Sequence, residues 1–411
     1  MTPSQLLSSS DWLALKADEK FRRYLEALGL PDYNKTSRIK RILERDYPKE
    51  WEELRVAVDR RTNRESHDDV YAIKNRNLPF SLFATIENRG ELHAKIFSRI
   101  DGISDTVSSI LDIGCENGFF TCLLALRWPN AKVIGIDPSE PALNRARELA
   151  AKLNLKNISF TASSAENADK IVCDEKFDLI TTVTVLNNGA LFPPDQCRPT
   201  RTPDFFNACS IGPVPPAFSA ISNVLMPEKG RWIAVEFCQS PSLFSIWCQA
   251  LDCAGLGIDW VESDRVAYRE KENFFTMLVA GHDRPRPLDL DKAHGFWISP
   301  EFNRWTLPNE PAWTICNQQA EAIFARLSPK TCIDRIIASD ASGKEIHRIE
   351  VWEAGTLALF YTASHSEERT RLQLRAITDL TSMRGHWKSS VGAMRKDAPS
   401  WAHLEEFHST T

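Results

Sequence analysis

The sequence contains no long apolar run and no excess of basic residues. No stretch reaches the roughly 18–20 apolar residues that a helix needs to span a bilayer, so we expect no membrane partner. The N-terminal segment lacks a basic stretch followed by an apolar block, which argues against a signal peptide. The 50 basic and 55 acidic residues leave a net charge of −5, which argues against nucleic acid as a partner.

Metal-binding cysteine patterns are also missing. The ten cysteines form no CxxC pair, and the nine histidines do not cluster near them, so we predict no metal site. Scattered cysteines are typical of reduced, mostly buried thiols in a cytoplasmic protein. With 43% hydrophobic and 26% charged residues, the 411-residue chain has the composition of a globular protein long enough for two or three domains.

Three regions differ in their patterns. Residues 1–105 have apolar positions three and four apart between charges of both signs, which predicts a helical N-terminal cap. Residues 106–284 alternate short apolar strands with helices, as in five βα units followed by a hairpin-like pair. Residues 285–411 predict an accessory α+β module. The fold class is therefore α/β, with a doubly wound, mostly parallel seven-stranded sheet between a helical region and an α+β module.

Finer features can be predicted inside these regions. Segment 35–61 predicts a helix with one apolar stripe, and Ser139 is a predicted helix cap. Segment 335–364 predicts two or three antiparallel strands, and segment 366–396 predicts a helix. The tryptophans of the C-terminal region are expected in its core more than in a binding groove, and they are Trp297, Trp305, Trp313, Trp352 and Trp387.

A glycine-containing loop follows the first predicted strand. Residues 110–120 read ILDIGCENGFF, with glycine at Gly114 and Gly118 but an acidic residue, Glu116, between them. A dinucleotide cofactor would bring a pyrophosphate to this turn and would favour glycine at the middle position. An acidic residue suits a cationic ligand better. We interpret Glu116 itself as pointing to solvent at the start of a helix.

This middle region resembles class I S-adenosylmethionine-dependent methyltransferases. Loop 112–118 is similar to the family's acidic-x-Gly-x-Gly-x-Gly loop, Asp137 ends the second strand as the family's ribose-binding acid does, and FDLI at 177–180 matches the start of its fourth strand. The resemblance covers rather less than half of the chain. It implies an enzyme whose cofactor is S-adenosyl-L-methionine.

The resemblance also implies contacts to the amino-acid and ribose portions of the cofactor. Gly114 and Gly118 would let the backbone pass close to the ligand. Asp112 would meet the ammonium group, directly or through water. Asp137 would accept hydrogen bonds from the two ribose hydroxyls.

The remaining predicted cofactor contacts concern the adenine and the cavity wall. Pro138 would lie against the adenine face. Ser164 stands where the family often has an acidic residue that accepts from the adenine amino group, so the Ser164 oxygen would accept there or the Ala165 N–H would donate to the adenine ring instead. Cys115 and Val183 complete the predicted cofactor site.

A long segment follows the fourth predicted strand. Residues 187–216 are rich in proline and exceed the ~2–6 residues usual for such a connection, which predicts a packed lid over the acceptor. Asn187 and Asn188 are candidates to bind the acceptor, or they only turn the chain. Arg198 and Arg201 would suit a carboxylate or phosphate, or they face solvent.

These patterns predict methyl transfer to a small-molecule acceptor by SN2 displacement. The size of the lid and the mildly acidic chain favour a small molecule over RNA. A protein, a carrier-bound acceptor or RNA stays open as the acceptor because of the C-terminal region. A non-catalytic binding protein with a methyltransferase-like fold is the further alternative. The sequence assigns no catalytic base and predicts no oligomeric state.

Overall fold

The computed structural model describes most of the chain in separate stretches. These are residues 10–62, 68–103, 106–173, 175–186, 214–237, 241–268, 270–288, 313–316, 330–354, 357–364, 369–376, 380–396 and 403–409, together with positions 293, 296, 321 and 324. In these stretches, no helix has the length and apolarity that crossing a membrane requires.

The N-terminal part is helical, as predicted. Asn77 caps its longest helix by accepting a hydrogen bond from the Phe80 N–H, and the apolar positions of that helix are largely buried. The predicted single helix over 35–61 is wrong, because the chain breaks at Tyr47, whose φ of −135° lies outside the helical region and which precedes Pro48. The helices are α1 (Ser10–Leu13), α2 (Ala17–Leu28), α3 (Thr36–Asp46), α4 (Pro48–Thr62), α5 (Asp68–Lys74) and α6 (Leu78–Ile100).

A central sheet follows, with helices between its strands. Ser139 caps α8 as predicted, accepting from the Ala142 N–H at 3.4 Å. The elements are β1 (Ser109–Ile113), α7 (Phe119–Arg127), β2 (Lys132–Asp137), α8 (Glu140–Lys152), β3 (Ile158–Ala162), α9 (Ala168–Val172), β4 (Leu179–Val183), α10 (Pro216–Val224), β5 (Arg231–Glu236), α11 (Pro241–Cys253), β6 (Gly257–Ile258), β7 (Asp264–Tyr268) and β8 (Glu270–Gly281).

The strand order of this sheet is β3-β2-β1-β4-β5-β8-β6, with β7 also paired to β8. Strands β1 to β5 run parallel, and β8 runs antiparallel to β5. The described sheet has eight strands, one more than predicted, because the two-residue strand β6 pairs with the end of β8. The order reverses between β1 and β4, and in such sheets ligands bind beyond the carboxyl ends of the strands at this point.

A second, antiparallel sheet contains the C-terminal strands in the order β14-β10-β11-β12-β13-β9. Strands β10, β11 and β12 confirm the two or three antiparallel strands predicted for segment 335–364, and three further strands bring the described sheet to six. Strand β13 lies in the segment predicted to be helical, because RTRLQLRA alternates polar and apolar residues with the period of a strand. The elements are β9 (Trp313–Cys316), β10 (Thr331–Ser339), β11 (Glu345–Ala354), β12 (Leu357–Ser364), β13 (Arg369–Ala376), α12 (Leu380–Lys396) and β14 (His403–His408).

The two faces of the second sheet pack against different partners. Met383 and Trp387 of α12 lie in one core cluster with residues of β10, β11 and β12. Leu359 and Leu372 belong to another cluster, which includes the core of the central sheet. Trp387 is buried as predicted, and Trp352 is half-buried with its Nε1–H donated to Glu350. Trp297 and Trp305 and the side chain of Trp313 lie outside what the structure describes.

Candidate functional site

The loop between β1 and α7 has three residues with positive φ angles. Gly114 and Gly118 have φ near +75°, and Glu116, at the position where the related loops have glycine, has a φ of +47°. The N–H groups of Gly114 and Cys115 both donate to the carbonyl oxygen of Ile136, at 2.8 and 3.1 Å. The loop is therefore fastened to the end of β2. A Cβ atom at Gly114 would overlap the side chain of Val185, so only glycine fits there.

Glu116 does not point to solvent, in contrast to the sequence-based interpretation. Its carboxylate forms an ion pair with Lys74 of α5 at 2.5 Å, and the two side chains are only 20% and 10% exposed. A charged partner 42 positions away along the chain leaves no local sequence signal. The pair neutralises the acidic residue at the mouth of the loop and links the loop to the N-terminal helices.

Asp137 ends β2 and closes the loop from the other side. Its Oδ2 accepts from the Glu116 N–H at 3.0 Å, and its Oδ1 accepts from the Ser139 N–H at 2.8 Å. Burial raises the pKa of Asp137 to about 6, although these two hydrogen bonds act in the opposite direction. A carboxylate held in this way favours a ligand that donates hydrogen bonds or carries positive charge.

Asp112 lies in β1 beneath the same loop and is 3% exposed. Its two oxygens accept from the hydroxyl groups of Thr121 and Thr181, at 2.5 and 2.6 Å. Burial raises its pKa to about 6 as well, and the hydroxyl groups oppose the shift. Each oxygen keeps one lone pair for a further donor. Asp112 is therefore a fixed acceptor whose orientation is set by two threonines.

A cavity of about 250 Å³ lies above these residues, at the carboxyl ends of β1, β2 and β4. It contains eight of the nine predicted cofactor residues. They are Asp112, Gly114, Cys115, Asp137, Pro138, Ser164, Ala165 and Val183. The predictions made from separate strands therefore converge on one cavity.

Gly118 is the exception among the predicted cofactor residues, because it is not part of the cavity wall. It begins α7 with a φ of +73°, and a Cβ atom there would lie 2.8 Å from the Cβ of Ala146 and 3.1 Å from the Phe160 ring. Its role is to let α7 pack closely against α8. The packing of the fold therefore requires glycine at this position, and the contact of Gly118 with the cofactor stays a prediction.

Near the predicted adenine site, the wall consists of Ser163, Ser164, Ala165 and Glu166. The Ser164 hydroxyl accepts a hydrogen bond from the Asn167 side chain at 3.1 Å. Glu166, two positions after Ser164, lines the cavity and was missed in the sequence analysis. The wall thus has an acidic residue near the position where the related enzymes often have one.

The N-terminal helices supply the wall that the sequence analysis missed. Thr85, Arg89 and His93 lie four residues apart on α6 and all face the cavity, joined by Tyr71 of α5. Asn117 of the glycine loop donates to the hydroxyl groups of Ser81 and Thr85, at 2.7 and 2.9 Å. Polar residues spaced four positions apart in an otherwise buried helix are the sequence signal that could have identified this face.

The chain beyond β4 is held by one carboxylate. Oε1 of Glu236, a residue that is 1% exposed, accepts from the N–H groups of Val185 and Leu186 at 2.7 Å each. Thr184 has a φ of +58°, and its hydroxyl accepts from the Arg89 guanidinium. The predicted lid begins directly after this turn. Its candidate acceptor residues Asn187, Asn188, Arg198 and Arg201 lie outside the described residues.

Comparison with known proteins agrees with this geometry. Residues 104–252 match a family model described as a methyltransferase domain. This region is a class I S-adenosylmethionine-dependent methyltransferase domain. Its cofactor is S-adenosylmethionine, and the residues present fit that group, because acidic side chains and a glycine loop surround a cavity at the strand ends.

Several curated methyltransferases are similar over parts of the domain. Ribosomal RNA small subunit methyltransferase G of a Thermotoga species is 28% identical over 132 residues, which is 32% of this chain and 57% of that protein. Malonyl-[acyl-carrier protein] O-methyltransferase of Acetivibrio thermocellus is 32% identical over a stretch that is 21% of this chain and 28% of that protein. Trans-aconitate 2-methyltransferase of Afipia carboxidovorans is 62% identical over 10% of this chain and 15% of its own. The matched stretches thus span 57% of the first of these relatives and less than a third of each of the other two.

Proposed function

We propose that the chain is an enzyme that transfers the methyl group of S-adenosylmethionine to a small-molecule acceptor. The observation that carries this proposal is the cavity at the strand ends, where two buried carboxylates and a glycine loop face one space. S-adenosylmethionine has an ammonium, a sulfonium and two ribose hydroxyls, and it has no phosphate. Buried carboxylates favour a cation and would repel a pyrophosphate.

The predicted contacts are part of this proposal. Asp137 would accept from the ribose hydroxyls through lone pairs that its two backbone donors leave free. Asp112 would accept from the ammonium, directly or through water. Pro138 would lie against the adenine, whose amino group would donate to the Ser164 oxygen or whose ring would accept from the Ala165 N–H. Gly114 and Cys115 would form the floor beneath the amino-acid portion.

The chemistry requires positioning more than proton transfer. The bound cofactor supplies a methyl group already activated by the positive sulfur. The residues of the chain would hold the acceptor in line with that bond, which can provide most of the acceleration. Val183 and Thr184, at the end of β4, would face the reacting atoms, because they line the cavity next to the proposed floor. We assign no catalytic base.

A small molecule is the acceptor that the charge of the chain favours, since a net charge of −5 gives no general attraction for RNA. The second candidate is an RNA, protein or carrier-bound acceptor. The names of the relatives support it, since they include a ribosomal RNA methyltransferase and a malonyl-[acyl-carrier protein] methyltransferase. The cysteine pattern supports a cytoplasmic location. We also propose that the chain divides into three regions, with boundaries at residues 105 and 284.

Calorimetric titration of the full chain with S-adenosylmethionine, S-adenosylhomocysteine and NAD tests the cofactor. We expect micromolar affinity for the first two and no affinity for NAD. A Gly114→Val variant should lose binding. Gly343→Val is the matched control, because Gly343 has a similarly positive φ of +80° but open space around it in a turn of the second sheet, and this variant should keep binding. Binding of none of the three ligands would leave a non-catalytic role as the better account, and binding of NAD alone would overturn the proposed cofactor.

A further inference from the structure

Arg89 is a cation in a cavity whose acidic lining residues outnumber it. Among the described residues of the wall, it is the one lysine or arginine. The acidic ones are Asp112, Glu116, Asp137 and Glu166, of which Glu116 is paired with Lys74. Within the described part of the chain, the guanidinium of Arg89 donates one hydrogen bond, to the Thr184 hydroxyl, which is neutral. No described carboxylate forms an ion pair with it. A half-buried guanidinium in this state favours an anionic ligand.

His93 lies one helical turn beyond Arg89 on the same face of α6. It is 7% exposed and lines the cavity, and its Nδ1 has no hydrogen-bond partner among the described residues. Its ring stacks on those of Phe119 and Phe120, with centroids 5.6 and 5.2 Å away. Burial, and then the charge of Arg89, lowers the pKa of His93 to about 3. The imidazole is therefore neutral and has one N–H to donate.

The position of Arg89 relative to Asp137 defines the two ends of the cavity. Asp137 ends β2, and Arg89 binds the residue that follows β4, while β1 lies between these two strands. Neighbouring strands are about 4.8 Å apart, so the two ends are separated by roughly 10 Å across the sheet. A ligand whose ribose lies at Asp137 would extend its other end towards Arg89.

We propose that Arg89 and His93 form a carboxylate subsite at the β4 end of the cavity. The subsite rests on the proposed function, because the cofactor at Asp137 fixes which end remains for the carboxylate. Two sources have this chemistry, namely the amino-acid carboxylate of the cofactor and an acid group on the acceptor. Thr184 holds the guanidinium in place, so that its remaining N–H groups are free to form a bidentate pair.

Titration of the full chain with S-adenosylmethionine and with its decarboxylated analogue distinguishes the sources. If the cofactor fills the subsite, the wild type binds S-adenosylmethionine at least tenfold more tightly than the analogue, and Arg89→Gln abolishes this preference. Arg89→Lys keeps the positive charge but loses the two parallel N–H donors of the guanidinium, so this variant should retain part of the preference. Lys95→Gln, on the same helix but outside the cavity wall, is the matched control and should behave as the wild type.

The acceptor arm uses trans-aconitate, a small polycarboxylate, with S-adenosylhomocysteine bound. If the acceptor fills the subsite, trans-aconitate stabilises the wild type against thermal unfolding, and Arg89→Gln and His93→Phe lose this effect. Equal behaviour of Arg89→Gln and the wild type in both arms overturns the subsite. If the wild type binds neither cofactor form, the proposed function fails. In that case the trans-aconitate measurement alone tests the subsite. The subsite is refuted if the thermal stabilisation by trans-aconitate is the same in the wild type and in Arg89→Gln.

Discussion

Replacing Asp137 by asparagine should separate ligand binding from stability. Asp137 is 5% exposed, and burial raises its pKa to about 6 from the usual 3.8. At pH 7 the ionised carboxylate therefore costs the folded protein about 3 kcal/mol relative to the neutral acid. The stability that the protonated group contributes is fully present below the usual pKa and is lost as the pH rises through about 6.

Asparagine removes this cost but also weakens the loop. The asparagine has one amide oxygen, which can accept from the N–H of either Glu116 or Ser139. The remaining backbone N–H then faces the amide NH2 and loses its acceptor, which costs about 1–3 kcal/mol. The two effects nearly cancel, so we expect the free energy of unfolding at pH 7 to change by about 1 kcal/mol or less. The ribose would lose a hydrogen bond to a charged acceptor, about 2–3 kcal/mol, which weakens S-adenosylmethionine binding about 30- to 150-fold.

Thermal unfolding without ligand and calorimetric titration with S-adenosylmethionine measure the two effects. Asp178→Asn is the control, because Asp178 lies at the opposite end of β4. Burial acts to raise the pKa of Asp178, but hydrogen bonds from Ser108 and an ion pair with Lys229 outweigh it and lower that pKa. This control should lose stability and keep its affinity. An unchanged affinity in Asp137→Asn, or a melting temperature lowered by more than about 10 °C, would refute the reasoning.

Three further changes test other features. Affinity for S-adenosylmethionine should fall about tenfold or more between pH 7 and pH 5. The reason is that Asp112 and Asp137, with pKa values of about 6, become protonated and no longer favour a cation. Calorimetric titration at both pH values measures this change. Glu116→Gly relieves about 1 kcal/mol of backbone strain but leaves Lys74 buried without its partner, at a cost of about 2 kcal/mol, so the variant should be less stable. A second change, Lys74→Met, should restore the stability, which chemical denaturation measures. Trp387→Ala should destabilise the second sheet by about 3–5 kcal/mol while calorimetry finds cofactor affinity unchanged.

Each of these results can be contradicted. An affinity that does not vary with pH would place the cationic ligand away from both carboxylates. A Glu116→Gly variant that is more stable than the wild type would mean that the strain at this position exceeds the strength of the ion pair. Loss of cofactor affinity in Trp387→Ala would show that the two sheets are coupled.

The central sheet and most of the cofactor cavity follow from local sequence patterns. Apolar strands that alternate with helices predict a parallel sheet, and parallel strands bring their carboxyl ends to one edge. Gly114 and Asp137 could therefore be placed together although they lie on different strands. The sequence has signals for such residues because the turn after a strand restricts residue type.

Contacts between distant elements could not be predicted in this way. The wall formed by Arg89 and His93 depends on the packing of α6, and nothing near these residues in the sequence identifies their partners. Gly118 shows a related limit, since a glycine that matches a binding pattern is also required by helix packing, which the pattern alone does not reveal. Strand β13 was missed because a charged, alternating segment was interpreted as helical.

The two sheets share one hydrophobic core, which restricts how the chain can be divided. Leu359, Tyr361 and Leu372 of the second sheet are buried in the same cluster as Phe218 and Trp247 of the methyltransferase domain. A protein truncated after residue 284 would bring this apolar surface into water and would be prone to aggregate. Expression trials should therefore keep both sheets in one polypeptide, and grafting the methyltransferase domain onto another protein would require polar replacements on that face.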